Sequence, residues 1–193
     1  MKKIFAVLLI ACMALSFAAC KDDNTTPPAD VTAFTAAIAA TNPTGAIITV
    51  KTTTAIGDLN ARYTVAYNAE GGATVNYEYE MFNEFDPADP DAETKSTVSG
   101  TATLAADGTY TGDATGSVAV TAGTAIDLTA VVDQATVNEA GDILTVVVPA
   151  ASTESVIGTA VATDVTLVIT ISGGAVEAVT ITYTGTVIEC KYN

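Results

Sequence analysis

Glu78 and Glu80 stand two residues apart, a spacing that in an extended strand puts both carboxylates on one face, about 6–7 Å apart. That separation suits the acid and base of glycoside hydrolysis. An enzyme of that kind needs a platform for the sugar, and the chain has no Trp. A solvated polar face explains the pair without chemistry. Further on, Asp86-Pro87-Ala88-Asp89-Pro90-Asp91-Ala92-Glu93 offers oxygen ligands to a hard cation. Set out as a calcium loop from Asp89 through Asp91 and Glu93, it puts Thr94 where glycine is required and Gly100 where a bidentate glutamate is required. It reads as an acidic turn held open by two prolines, and no metal or other cofactor is assigned. Histidine is absent, so Ser-His-Asp and Cys-His triads and His-based zinc sites cannot be assembled. There is no GxSxG, no Ser-x-x-Lys and no phosphate-cradling loop. Gly108, Gly112 and Gly116 carry Thr and Asp between them, so they mark turns or bulges and not a helix-packing motif. A non-catalytic protein is expected.

The remaining reactive side chains are Cys12, Cys20 and Cys190. Lys2 and Lys3 precede an apolar run over residues 4–19, which is too short and too soon followed by charge to make a good membrane span. The run ends Phe17-Ala18-Ala19-Cys20 and is followed by Lys21-Asp22-Asp23. This stretch resembles the lipobox of bacterial lipoproteins. The resemblance implies a signal peptide over residues 1–19, cleavage before Cys20 and diacylation of its thiol. Leu9-Ile10-Ala11-Cys12 fits the same pattern, but cleavage there leaves the apolar heptamer Met13 to Ala19 at the new N-terminus. An ordinary secretory leader with an incidental cysteine is the other reading. Each buried methylene of an acyl chain contributes ~0.8 kcal/mol, so two or three chains hold a protein on a membrane. The expected location is extracytoplasmic, lipid-anchored to a bacterial membrane at the cell surface or the periplasmic face. Cys190 alternates with Ile188 and Tyr192 and reads as a buried, inert thiol.

Loss of the leader leaves 174 of the 193 residues, with five basic side chains against 22 acidic ones, so the net charge moves from −15 to −17. Such a surface repels nucleic acid and anionic headgroups. The acyl anchor on Cys20 is therefore the expected membrane partner; no nucleic acid is expected, and no protein partner is assigned. Residues 20–29, with Thr25-Thr26-Pro27-Pro28, are polar and aperiodic and read as a flexible tether. Residues 30–193 form the β-rich domain.

These candidate residues need elements to hold them. Asp30 is placed to cap a short helix through Val31, Phe34, Ala37 and Ile38, stopped by Asn42-Pro43-Thr44-Gly45. Leu59, Ala61, Tyr63, Val65 and Tyr67 alternate with polar residues, as do Val75, Tyr77, Tyr79 and Met81; Asn68 to Gly72 joins the two strands. Further strands are expected over 46–53, 94–104, 116–121, 125–132, 143–148, 164–171, 176–184 and 187–192, with a hairpin turn at Ser172-Gly173-Gly174-Ala175. Residues 152–158 read as a short helix or a loop.

The order of leader, polar stalk, short helix and strand meander ending in Asp164-Val165-Thr166-Leu167-Val168-Ile169-Thr170-Ile171-Ser172-Gly173-Gly174 resembles the LolA-like and LppX-like lipoproteins. The resemblance implies a mainly β fold in which a strongly curved antiparallel sheet forms a half-barrel and the short N-terminal helix closes it. It also implies a cavity for a lipid or another apolar ligand. On that reading the ligand meets Phe34, Ile38, Tyr63, Val65, Tyr77 and Tyr79. The alternative is two small Ig-like β-sandwiches with a break near 108–116, acting as a structural or adhesive surface module without a small-molecule ligand.

Overall fold

The computed structural model describes residues 31–83, 94–112, 119–120 and 126–193. The leader, Cys20, the tether and Asp30 lie outside these residues, as does the acidic turn from Asp86 to Glu93. The helices are α1 (Thr32–Ala40) and α2 (Thr153–Ile157). The strands of the first half are β1 (Gly45–Thr54), β2 (Gly57–Tyr67), β3 (Ala73–Phe82), β4 (Lys95–Leu104) and β5 (Tyr110–Thr111). Those of the second half are β6 (Thr136–Val137), β7 (Ile143–Val148), β8 (Val165–Ser172), β9 (Ala175–Tyr183) and β10 (Thr186–Tyr192).

Strict alternation decides which face each strand buries. Ile48 and Val50 of β1, Tyr63 and Val65 of β2, Leu144 and Val146 of β7, and Leu167 and Ile169 of β8 are all buried, and Thr49, Thr64, Thr145 and Val168 between them look outward. The ten strands pair antiparallel in the order β5-β4-β3-β2-β1-β10-β9-β8-β7-β6. Two meanders thus run outward from a central seam, where Ile48 faces Cys190 and Val50 faces Ile188. The sheet does not close into a barrel. The mainly β expectation holds. The alternative of two small sandwiches is corrected: strands from before and after 108–116 share one sheet, because the first strand pairs directly with the last.

The apolar face is covered by α1, by α2 and by the connection that leads from β5 at one edge to β6 at the other. Ala119, Val120, Leu128, Val131 and Ala135 of that connection belong to the same core cluster as the inward strand residues. A strand is not what forms over 126–132: Val131 N–H bonds to Leu128 O, Gln134 N–H bonds to Val131 O, and a 3-10 turn covers Val132–Gln134. Within the expected strand at 116–121, Ala119 and Val120 are helical. Within residues 152–158 the chain forms α2, entered from a 3-10 turn over Ala150–Ser152 and ended at Gly158 with φ of 69°. In β9, Glu177 is an extra residue between the pairs Thr170–Ala178 and Ile171–Val176. This bulge brings Val176 back to the buried side.

Candidate functional site

Helix α1 forms because five of its nine residues are alanine, the strongest helix former. Phe34 and Ala37 face the core and Ile38 is half-buried beside them, so α1 packs on β9 and β8. The helix begins after Val31, whose carbonyl accepts both the N–H of Thr35 (3.0 Å) and its hydroxyl (3.2 Å). It ends where Thr41 turns extended, φ −67° and ψ 117°. Pro43 keeps the preceding Asn42 out of helical geometry. Thr41 Oγ1 donates to Ala37 O at 2.7 Å and accepts the N–H of Val176 at 2.9 Å. One hydroxyl thereby fastens the helix end to the start of β9.

A pocket of about 510 Å³ opens at this junction, a size within the common range for small-molecule sites. Ile38, Pro43, Ile126, Val176, Tyr67 and Tyr192 give it apolar walls, while Thr41, Asn42, Thr44 and Asn68 bring polar groups to it. Five parts of the chain meet here: the end of α1, the end of β2, the start of β9, the last strand, and the connection between β5 and β6. Backbone bonds fix the floor. Tyr67 N–H donates to Thr44 O at 3.1 Å, and Thr44 and Asn193 are joined by Thr44 N–H to Asn193 O at 3.1 Å. The Asn68 side-chain oxygen accepts the N–H groups of Glu70 and Gly72, holding the β2–β3 turn in place.

Tyr67, Cys190 and Tyr192 form a neutral polar group beneath the pocket. Burial pushes the Cys190 thiol up to about 11, and a side-chain hydrogen bond with Tyr192 offsets this in part. Burial also raises the Tyr192 hydroxyl, and the neighbouring Cys190 adds to the effect. The Tyr67 hydroxyl is raised by burial first and by Cys190 second. All three groups therefore stay protonated at neutral pH. Among the described residues, Tyr67 Oη is the buried side-chain polar atom without a hydrogen-bond partner.

The residues proposed to meet a ligand separate into two sets. Ile38 lines the pocket. Phe34, Tyr63 and Val65 are core residues, exposed by 0%, 0% and 2%. Tyr77 and Tyr79 pack against the core with their rings 6.0 Å apart and 29° from parallel. Tyr67 and Tyr192 were missed as site residues. Both sit at or next to the inward end of a strand and combine an apolar ring with a polar tip, and that placement is the signal the sequence carries.

A second concavity, also of about 510 Å³, lies across β10, β1, β2, β3 and β4 and is walled by Thr49, Lys51, Arg62, Glu78, Glu80 and Glu189. Glu78 and Glu80 do share the outward side, as their spacing implies. Glu80 is occupied structurally: its Oε2 accepts the Asn60 backbone N–H at 2.7 Å and the Asn60 amide at 2.8 Å, and Lys95 lies 3.6 Å away. These bonds, the Asn60 N–H foremost, hold its carboxyl below the ordinary value. No cluster of three potential metal ligands occurs among the described residues, and none of their helices is long and apolar enough to cross a membrane. Comparison with protein-family models, with curated proteins and with solved structures finds no match to the chain.

Proposed function

We propose that this is a non-catalytic binding protein of the bacterial envelope, anchored by lipid on Cys20 and carrying a small apolar or amphipathic molecule at the end of α1. The observation that carries the reading is the pocket of about 510 Å³ framed by Ile38, Pro43, Ile126, Val176, Tyr67 and Tyr192. Apolar walls exclude water and supply affinity through area removed from solvent, at roughly 25 cal/mol per Å². The nearby polar side chains give orientation. The LolA-like and LppX-like lipoproteins, which the sequence resembles, likewise set a helix against an antiparallel sheet; in this chain Phe34, Tyr63 and Val65 fill the face between helix and sheet, and the proposed site lies at the end of α1 instead. The leader supports lipid anchoring at Cys20 and an extracytoplasmic location, and the absence of histidine weighs against triad and His-zinc chemistry.

The test is organic extraction and mass spectrometry of the leader-free chain, purified from bacteria without detergent. A stoichiometric apolar molecule in the extract is the expected result. An empty protein that melts in one cooperative transition overturns the carrier reading and leaves the structural or adhesive surface role.

A further inference from the structure

We infer that the outward side of the sheet is an interface with a second copy of this chain. In the pair, the uncharged half formed by β7, β8 and β9 of each copy seats on the charged, concave half formed by β10, β1, β2, β3 and β4 of the other. The inference is independent of the carrier reading, because this surface is on the side of the sheet away from α1.

Charge points to this face and to this occupant. The ten strands hold four basic and five acidic residues, whereas the rest of the chain holds three basic and 17 acidic ones. Lys51, Arg62, Lys95 and Lys191 all lie on the outward side of their strands. Two copies therefore repel through their other surfaces and meet here almost without net charge. A strongly acidic or strongly basic partner would oppose its own sign over part of the face, while a second copy brings both signs in the same near-balance. The two halves are also complementary. β7 and β8 carry no charged residue, and β9 carries only Glu177, at its bulge. Ile143, Val147 and, at the border in β10, Val187 are 37%, 50% and 39% exposed, apolar surface that an interface takes from water. One row of neighbours crosses the sheet as Thr145–Val168–Thr180–Glu189–Thr49–Arg62. A two-fold axis parallel to the strands between β9 and β10 turns that row end for end, so Val168 falls over Thr49 and Thr145 over Arg62 of the second copy. Arg62 makes none of the described ion pairs, which leaves its guanidinium for the Thr145 hydroxyl. Glu177, beside the Ala178 that pairs with Lys191, comes near Lys191 of the second copy. Eight strands of about nine residues span about 35 Å by about 30 Å, or about 1,000 Å², which exceeds the roughly 800 Å² per partner of a standard interface.

The experiment is sedimentation velocity over a wide concentration range at low and high salt, on the leader-free chain begun at Lys21 so that no disulfide forms through Cys20. A monomer–dimer equilibrium is expected, with a Kd that falls as salt screens the acids outside the face. Val147→Glu, which adds a carboxylate to an exposed position, is expected to raise the Kd at least tenfold while the far-UV circular dichroism of the monomer is unchanged. Thr145→Asp gives Arg62 of the second copy a carboxylate and is expected to lower the Kd about tenfold, a gain that Arg62→Ala removes. A monomer at every concentration and both salts overturns the inference. A dimer indifferent to Val147→Glu overturns this face as its seat, and growth beyond the dimer overturns the two-fold closure. A dimer that Val147→Glu weakens and Thr145→Asp does not tighten overturns the pairing of the two halves. The organic extract decides the carrier reading separately from each of these outcomes.

Discussion

Thr41 does two jobs with one oxygen, and both meet at the pocket. Its hydroxyl terminates α1 on Ala37 O and receives the Val176 N–H. Thr41→Val keeps the shape and removes both bonds, leaving a backbone donor beside the bulge of β9 without its partner. The expected loss is about 1–3 kcal/mol, read as a lower urea midpoint at unchanged slope, whereas Thr41→Ser retains most of the stability. Cys190 allows a second prediction at this scale. Its folded value lies above its unfolded one, so its contribution is complete below about pH 9.0 and is lost as pH rises through about 11. Iodoacetamide should label native protein far more slowly than urea-unfolded protein at pH 8. Cys190→Ala should flatten the decline in stability between about pH 9.0 and 11; a decline identical to the parent would assign that limb to the tyrosines alone.

At the scale of elements, β3 and β4 depend on a side chain that is missing. Gly100 pairs with Tyr77, and the phenol of Tyr77 lies where a Cβ on Gly100 would have to sit. The ring covers the neighbouring strand directly, a known compensation for glycine within a sheet. Gly100→Ala must push this ring aside, together with Tyr79 stacked against it, at an expected cost of about 1–3 kcal/mol. Combining it with Tyr77→Ala should cost less than the sum of the two, which a double-mutant cycle by urea denaturation would measure. The same elements show what the sequence reveals. Period-two alternation marks β1, β2, β3, β4, β7, β8, β9 and β10 because each buries one face only. The two edge strands, β5 and β6, are two residues long and carry no period to read. Residues 126–132 have strand-like composition, yet Leu128 and Val131 reach the core from a turn at a spacing of three. There, packing over the sheet overrode local propensity. The site was legible only at Ile38, since Tyr67, Ile126, Val176 and Tyr192 are separated along the chain and become neighbours only through the central seam.

For the molecule as a whole, the seam between β1 and β10 joins the two meanders into one continuous sheet. Its electrostatics are one-sided: 22 acidic residues stand against seven basic ones. The described ion pairs, Lys51–Asp58 at 2.7 Å, Lys95–Glu80 at 3.6 Å and Lys191–Glu189 at 3.1 Å, involve exposed or half-exposed partners. Such pairs contribute little, while the surplus of negative charge acts against the compact state. Asp58, held low by Lys51 and Thr53, and Glu80, held low by Asn60, lend stability that is present above their ordinary values and lost as pH falls through the lowered ones. With no histidine, no side chain of ordinary pKa titrates between roughly pH 6 and 8, so stability is flat across that window and the effect of salt can be measured there alone. Raising NaCl from 0.01 M to 1 M shortens the screening length from about 30 Å to about 3 Å. This weakens both the repulsion and the ion pairs. Because unpaired acids far outnumber paired ones, repulsion outweighs the pairing, and the thermal midpoint at pH 7 should rise with salt. A midpoint that falls would mean that the three ion pairs outweigh the repulsion. Lys51→Met deletes one pair and one cation, and both losses should make its midpoint gain more from salt than the parent's does.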